Sequence, residues 1–255
     1  MSTSALLEAR AITKRFAGIT ALDAVTVEVG GRELAGLIGP NGAGKTTLFN
    51  CILGLERIDA GHVRLNGRDV TRMRVFRRAR LGMGRTFQRM ELFTGTSVRD
   101  HFIVASRAHR QDGSLWRDLC NLARPSEREL TESDATLELL GLSDVADAPV
   151  ESLPLGRGRL VEIGRALMTE PELLLLDEPS SGLDQSETAQ LGDTLRTIHS
   201  ERGTGILLVE HDLDLVRQVA ERLYVLDFGV LIAQGSTDSV LHDDAVRKAY
   251  LGDTQ

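Results

Sequence analysis

Short apolar runs bounded by turn residues are the commonest pattern in this chain. Within the first forty residues they predict three strands, at LLEARAI, AVTVEV and ELAGLIG. Later runs predict a strand-turn-strand around HVRL and NGRDV, strands at LLLLDE and ILLVE, and a hairpin at VLDFG and VLIAQG around Phe228-Gly229. A helix is expected beside each of the strands LLLLDE and ILLVE, and another at DDAVRKAYLG. This alternation predicts an α/β core with a largely parallel central sheet.

Between residues 91 and 155 the spacing of apolar residues changes to that of helices, and no run of strand type occurs. The stretch DATLELLGL, with Leu137 and Leu140, has the spacing of an apolar helix face. We therefore predict two parts: a core formed by residues 1–90 and 156–255, and an all-helical region at 91–155 that is inserted into it.

Composition limits the functional class. The chain has 255 residues, of which 42% are hydrophobic and 26% charged, as in an ordinary globular protein long enough for a domain with an inserted lobe. The formal net charge of −7 argues against a nucleic-acid partner. No apolar run reaches the roughly 18 residues of a membrane span, and the start has no signal-peptide pattern. Two cysteines are too few for a disulfide framework or a zinc site, so we expect a cytoplasmic chain.

A glycine-rich segment, GPNGAGKT, follows the third predicted strand and precedes a helix that we place from about Lys45. This context is that of a phosphate-binding loop, in which backbone N–H groups and a helix N-terminus face one anion. Lys45 would reach the β- and γ-phosphates, and the Thr46 hydroxyl would bind Mg²⁺. The predicted nucleotide contacts in this segment are Gly39, Pro40, Asn41, Gly42, Ala43, Gly44, Lys45, Thr46 and Thr47.

The strand LLLLDE ends in two carboxylates. Beside a phosphate loop, Asp177 fits a Mg²⁺ ligand, and Glu178 fits a base or water-orienting group for attack on the γ-phosphate. His211, after the strand ILLVE, and Gln88, in Thr86-Phe87-Gln88, carry little information individually. A histidine at the end of a strand is more often structural than catalytic.

Taken in order, these motifs resemble the ATP-binding subunit of an ABC transporter, over essentially the whole chain. Besides the phosphate loop and LLLLDEP, the order includes Gln88, LPLGRGR at the start of a helix, Ser181-Gly182-Leu183-Asp184, and His211 in LLVEHD. The resemblance implies a P-loop NTPase core with an antiparallel β subdomain and an inserted α-helical subdomain. It also implies ATP and Mg²⁺ as ligands, and ATP hydrolysis as the activity.

The same resemblance implies roles for further residues. Phe16 would stack on adenine, unless it is a core phenylalanine. Gln88 would contact the γ-phosphate and Mg²⁺ and link the site to the membrane partner, while His211 would hold the γ-phosphate and the attacking water. Because two such subunits enclose two ATP molecules, Leu155, Gly156 and Asp184 would act on the ATP of the opposite subunit.

One position departs from the family pattern. The loop that reaches the opposite ATP usually carries a serine, and here Pro154 replaces it, with neither a hydroxyl nor an N–H. The helix dipole and the N–H groups from Gly156 onward remain. We therefore expect closure of the pair with a phosphate contact weaker by about 0.5–3 kcal/mol.

Two segments, MGRTFQRMELF and the ending VLDFGVLIAQG with AVRKAYLGD, resemble those of the ATPases in branched-chain amino-acid importers. The stretch HRQDGSLWRDLCNLARPSER resembles the longer of the two ATPase subunits in those importers. This branch implies integral-membrane permease subunits, a second ABC ATPase that is identical or different, and indirectly a solute-binding protein. The chain would lie on the inner face of the cell membrane. The alternatives are a soluble ABC ATPase serving a cytoplasmic assembly, as in iron–sulfur scaffolds, and export of a lipid such as lipopolysaccharide.

Two surface patterns have two interpretations each. Leu115, Trp116, Leu119 and Leu122 share one side of a helix, which favours packing within the lobe over contact with a permease or the membrane. A second pattern is basic, and we expect a solvated helix face there, with attraction to anionic lipid headgroups as the alternative. Its members are Arg72, Arg74, Arg77, Arg78 and Arg80.

Overall fold

The computed structural model describes residues 5–86, 93–110 and 125–251. The strands in these ranges are β1 (Leu7–Phe16), β2 (Ile19–Val29), β3 (Leu34–Ile38), β4 (Ala60–Leu65), β5 (Arg68–Asp69), β6 (Met83–Arg85), β7 (Leu173–Asp177), β8 (Gly205–Val209), β9 (Arg222–Asp227) and β10 (Val230–Ser236). The helices are α1 (Lys45–Leu53), α2 (Val75–Ala79), α3 (Val98–Arg110), α4 (Glu127–Leu139), α5 (Leu155–Leu167), α6 (Gln185–Arg202), α7 (Leu213–Val219), α8 (Thr237–Leu241) and α9 (Asp244–Leu251).

The strands form two sheets. The larger sheet has the order β10-β9-β3-β8-β7-β6, in which every neighbouring pair is parallel except β10 with β9. The smaller sheet, β2-β1-β4-β5, is antiparallel throughout. The predicted fold class, a largely parallel α/β core with an antiparallel subdomain, is confirmed.

The larger sheet is buried on both faces, which explains the continuous apolar runs of its central strands. In β7, Leu174 and Leu176 point to the face covered by helices α3 to α7, and Leu173 and Leu175 point to the opposite face. That opposite face packs against α1 and the antiparallel sheet, so β3, β8 and β9 divide their side chains between two cores in the same way.

The described residues within 91–155 form helices between β6 and β7, and the bridge from Ser97 to Pro149 is the one β-type pairing among them. Helix α3 approaches α5 so closely that a Cβ on Gly164 would lie 2.3 Å from the Phe102 ring. Arg107 of α3 donates to Glu129 of α4 at 3.0 Å, and this pair lowers the pKa of Glu129 to about 2. The helical character is as predicted, while the boundaries at 90 and 156 stay a prediction.

Three details differ from the sequence-based prediction. Strands β1 and β2 extend further, to Phe16 and from Ile19, although their shared end is largely exposed and its register is irregular. Strand β6 has three residues, too short for an apolar pattern to reveal it. Gln88 and the helix face with Trp116 lie outside the described residues.

The arginine cluster contains one buried member. Arg78 is 2% exposed and donates to backbone oxygens of Cys51 and Thr71, each at 3.0 Å, and of Ile52. It therefore satisfies carbonyl groups at the C-terminus of α1, and its assignment to the solvated face was wrong. The other four arginines are exposed.

Across the three described ranges, we find no helix that combines the length and the apolar character needed to cross a bilayer.

Candidate active site

The loop between β3 and α1 depends on glycine at two positions. Gly39 has a φ of 153° and Gly44 a φ of 104°, both in the region that favours glycine. A Cβ on Gly39 would lie 2.1 Å from the Leu226 backbone oxygen, and one on Gly44 would lie 2.8 Å from that of Ala21. At these two positions the backbone of the loop therefore lies against other backbone segments. The loop stands in front of the N-terminus of α1, where no side chain caps the helix.

Lys45 is folded back onto this loop. Its Nζ donates to the Gly39 oxygen at 2.7 Å and to the Pro40 oxygen at 3.1 Å, and the residue is 5% exposed. Burial lowers the pKa of Lys45, while the carboxylates of Glu178, Asp177 and Glu210 act in the opposite direction. The ammonium group is therefore held where an anion at the head of α1 would meet it.

Asp177 ends β7, beside the ends of β8 and β3. Its side chain is buried, and Oδ1 has no hydrogen-bond partner. Burial, followed by the charge of Glu178, raises the pKa of Asp177 to about 6. A buried carboxylate oxygen without a hydrogen-bond partner is stabilised by a cation, and oxygen is the ligand that Mg²⁺ prefers. The residues present therefore fit Mg²⁺ at this position.

Glu178 has a φ of 47°, which is rare for a residue other than glycine, and its N–H donates to the Val209 oxygen at 2.8 Å. This bend turns the side chain out of β7 and into the cleft at the phosphate loop. The cleft encloses about 510 Å³ and is lined by Ile19, Thr20, Ala21, Asn41, Gly42, Ala43, Gly44, Lys45, Thr46, Thr47, Glu178, Phe228 and Gly229.

The aromatic residue proposed for adenine lies at the end of a strand of the antiparallel sheet. Phe16 is 41% exposed at the end of β1, with Lys14 Nζ 4.6 Å from its ring centroid. It is therefore not a core phenylalanine, and its stacking role stays a prediction. Ile19 and Phe228, two exposed apolar residues that line the cleft, were not identified from sequence, although Phe228 stands in the predicted hairpin turn.

His211 follows β8 with its side chain half exposed, and its Nδ1 lies 3.8 Å from Oε2 of Glu210. Glu210 was not identified from sequence as a site residue. Its carboxylate is fully buried and accepts from the N–H of Ser180 at 2.9 Å and from the N–H of His211 at 3.0 Å. The available signal was an acidic residue at the end of a strand that is otherwise entirely apolar.

The model of the family described as ABC transporter matches residues 22–181, more than half of the chain. The chain belongs to the ABC transporter family. It is 36% identical over 250 residues to the high-affinity branched-chain amino acid transport ATP-binding protein LivG of Salmonella typhimurium, which covers 97% of this chain and 98% of LivG. The identity and both coverages are the same for BraF of Pseudomonas aeruginosa, which carries the same description.

Among solved structures, the ADP conformation of MJ1267, an ATP-binding cassette of an ABC transporter, superposes with a TM-score of 0.86 at 31% identity. That similarity covers 98% of this chain and 100% of MJ1267. The fold and the activity class are therefore those of an ABC ATPase.

A second surface of this ABC ATPase carries the residues that we expect to act on the ATP of the opposite subunit. Pro154 precedes α5 without a side-chain cap, Leu155 is 37% exposed, and a Cβ on Gly182 would lie 3.0 Å from Leu155. Asp184 caps α6 by accepting from the Glu187 N–H at 2.8 Å, a local role that sequence reasoning did not assign. None of Leu155, Gly156 and Asp184 is among the described residues that line the phosphate cleft.

Proposed function

We propose that this ABC ATPase binds ATP with Mg²⁺ and hydrolyses it to power import of a branched-chain amino acid, or a related small solute, through separate permease subunits. The observation that carries the chemistry is the pair at the end of β7. Asp177 presents a buried, partnerless carboxylate oxygen, and Glu178 lines the cleft of the phosphate loop. One residue is thus available for Mg²⁺ and its neighbour for the attacking water.

The remaining roles follow from this arrangement. The N–H groups at the head of α1 and the Lys45 ammonium would bind the phosphates, with Lys45 leaving the Gly39 and Pro40 oxygens. Thr46 and Asp177 would hold Mg²⁺, which supplies charge neutralisation on the β- and γ-phosphate oxygens. His211 and Gln88 are assigned to the γ-phosphate by the family resemblance, Gln88 also to Mg²⁺ and Phe16 to adenine.

We assign the exposed surface at the head of α5 to a second cassette, identical or not. Four features support this: an uncapped helix N-terminus, the exposed Leu155, the adjacent Gly156, and the exposed Asp184. Such a helix N-terminus attracts anions, and in one chain this one lies away from the phosphate cleft. Two chains in an antiparallel arrangement would bring each α5 to the other's ATP.

A groove between the sheet and the helical insertion is the proposed docking site for a permease. It encloses about 380 Å³ between α2, β6, α3 and α5, and its lining includes Val75, Phe76, Ala105 and Ala108. Phe76 is 48% exposed there. Docking on a permease places the ATPase on the inner face of the cell membrane, with a solute-binding protein as an indirect partner.

The similarity to LivG and BraF, two branched-chain amino acid transport ATP-binding proteins, supports amino-acid import over the two alternatives, a cytoplasmic assembly ATPase and a lipid exporter. The test uses Glu178→Gln, a substitution chosen to slow hydrolysis while ATP stays bound. The tagged variant is purified from native membranes in mild detergent with MgATP, beside the tagged wild type. Two permeases and a second ATPase in the preparation are expected. Recovery of soluble proteins alone would overturn the transport assignment.

A further inference from the structure

Glu210 joins three elements that meet at the site. Its own N–H donates to the Leu37 oxygen of β3 at 3.2 Å, one residue before the end of the strand that leads into the phosphate loop. Its Oε1 accepts from Ser180 at 2.9 Å. Its Oε2 accepts from His211 at 3.0 Å and, more weakly, from Asp212 at 3.4 Å. The side chain is fully buried, so water does not compete for these contacts.

The two oxygens of Glu210 hold loops with different tasks. The loop after β7 contains Glu178 and Ser180 and leads to Asp184 at the start of α6. The loop after β8 contains His211. A second bond, from the Glu178 N–H to the Val209 oxygen at 2.8 Å, joins the loop after β7 to the last residue of β8. Glu210 is therefore the side chain through which a shift of His211 would reach the backbone of the other loop.

We propose that Glu210 is a positioning residue that locks the His211 loop to the Ser180–Asp184 loop, so that both move together when the γ-phosphate site is filled. This inference rests on the proposed function, because it takes His211 as the group that meets the γ-phosphate. It assigns Glu210 no contact with ATP, and Glu210 is absent from the described residues that line the cleft.

The task requires a carboxylate. Both of its oxygens face backbone N–H donors, so each must accept, and an ionised carboxylate is a side chain with two acceptors and no donor. In Glu210→Gln one end becomes an NH₂ group. That NH₂ group would face the N–H of either Ser180 or His211. Because two donors cannot form a hydrogen bond with each other, only one of the two loops would stay attached.

The experiment is a double-mutant cycle on the assembled transporter with Glu210→Gln, His211→Ala and both together. For Glu210→Gln we expect kcat for ATP to fall by about 10- to 100-fold, as for other residues that orient a catalytic group, with KM changed less than about threefold. If Glu210 acts through His211, the double variant is no slower than His211→Ala alone.

Glu129→Gln is the matched control, because Glu129 is also a buried carboxylate that accepts a backbone N–H but lies in the helical insertion. It should lower Tm and leave kcat unchanged. If the double variant loses kcat by the product of the two single-variant losses, the positioning role of Glu210 is overturned. An unimpaired His211→Ala enzyme would instead overturn the role of His211 in the proposed function, so the two failures are distinguishable.

A variant-free measurement covers the case in which Glu210→Gln does not fold. Hydrogen exchange at the Ser180 and His211 amides of the wild-type chain should slow by the same factor when MgATP is added, because one carboxylate holds both. Slowing at His211 with no change at Ser180 would contradict the proposal.

Discussion

The N-termini of α1 and α5 are similar in backbone chemistry and differ in their surroundings. Gly44 precedes α1 and Pro154 precedes α5, and neither helix has a side-chain cap. Helices α4 and α6, by contrast, are capped by Ser126 and Asp184, each in a capping box. The head of α1 lies in a cleft with Lys45 and Glu178, whereas the head of α5 presents the exposed Leu155 at the surface.

On the proposed function, this difference separates the half of the site that one chain supplies from the half that a second chain would supply. At α1 the chain itself supplies an ammonium, a buried carboxylate and a water-orienting candidate for one anion. At α5 the nearby side chains satisfy each other, as in the Arg157–Asp144 pair at 2.7 Å. The missing side-chain cap and the surface position of the α5 N-terminus are the basis for assigning it to the ATP of another chain.

The largest expected effect follows loss of the ammonium at α1. Lys45→Ala should abolish hydrolysis and weaken ATP binding by about 10- to 100-fold, because a charge-assisted contact to phosphate is lost. Arg157→Ala is the matched control at α5 and should leave the ATP affinity of a single chain unchanged, since its pair with Asp144 is exposed. Calorimetric titration measures the ATP affinity of both variants. Equal losses of ATP affinity would contradict the difference proposed between the two helices.

The two glycines next to these N-termini should differ in their effect on stability. Gly44→Ala places a Cβ at a positive φ and 2.8 Å from a backbone oxygen, so the free energy of unfolding should fall by about 1–3 kcal/mol. In Gly156→Ala the new Cβ meets the end of the Glu187 side chain, which can shift. Urea denaturation should show that Gly156→Ala lowers the free energy of unfolding by less than about 1 kcal/mol. A larger cost at 156 than at 44 would contradict this account of the loops.

Asp177 should destabilise the nucleotide-free fold near neutral pH. Its raised pKa, about 6, means that the folded chain keeps a proton which the unfolded chain releases from about pH 4 upward. Stability is therefore lost as the pH rises from about 4 to 6, and the loss persists above that range.

Asp177→Asn should raise the free energy of unfolding by about 1–2 kcal/mol at pH 7.5 and change it little at pH 4. It should also remove the additional stabilisation by MgATP over ATP alone. Thermal melts across this pH range measure both effects, and a less stable variant at pH 7.5 would refute the assignment.

The remaining effect is expected at the head of α5. Pro154→Ser supplies a hydroxyl that can cap the helix and contact a phosphate, so ATP-dependent pairing of Glu178→Gln chains should tighten by about 0.5–3 kcal/mol. Thermal stability without ATP isolates the capping part. If sedimentation shows no change in pairing, the missing hydroxyl is without consequence.

The fold was predictable because its strongest signals are local. The runs around Leu174 and Leu207 are apolar at every position, and only a sheet covered on both faces buries such strands completely. The phosphate loop was equally readable, since positions such as Gly39 and Gly44 are fixed by backbone contacts that exclude any Cβ.

The features that could not be predicted from the sequence depend on contacts between segments that are distant along the chain. Arg78 has the same spacing as its exposed neighbours, and its burial follows from carbonyl groups at the end of α1. Glu210 resembles any acidic residue at a strand end until Ser180, 30 positions earlier, is brought beside it. Phe16 gave no signal to separate a core ring from an exposed one.

The most direct test of the central claim compares ATP binding and ATP hydrolysis by the purified chain across protein concentrations. The account predicts one ATP bound per chain at every concentration, through the complete site at α1. It predicts that turnover per chain rises with concentration as pairs form and supply α5 from the partner. Turnover per chain that stays constant down to concentrations at which the chain sediments as a monomer would contradict it.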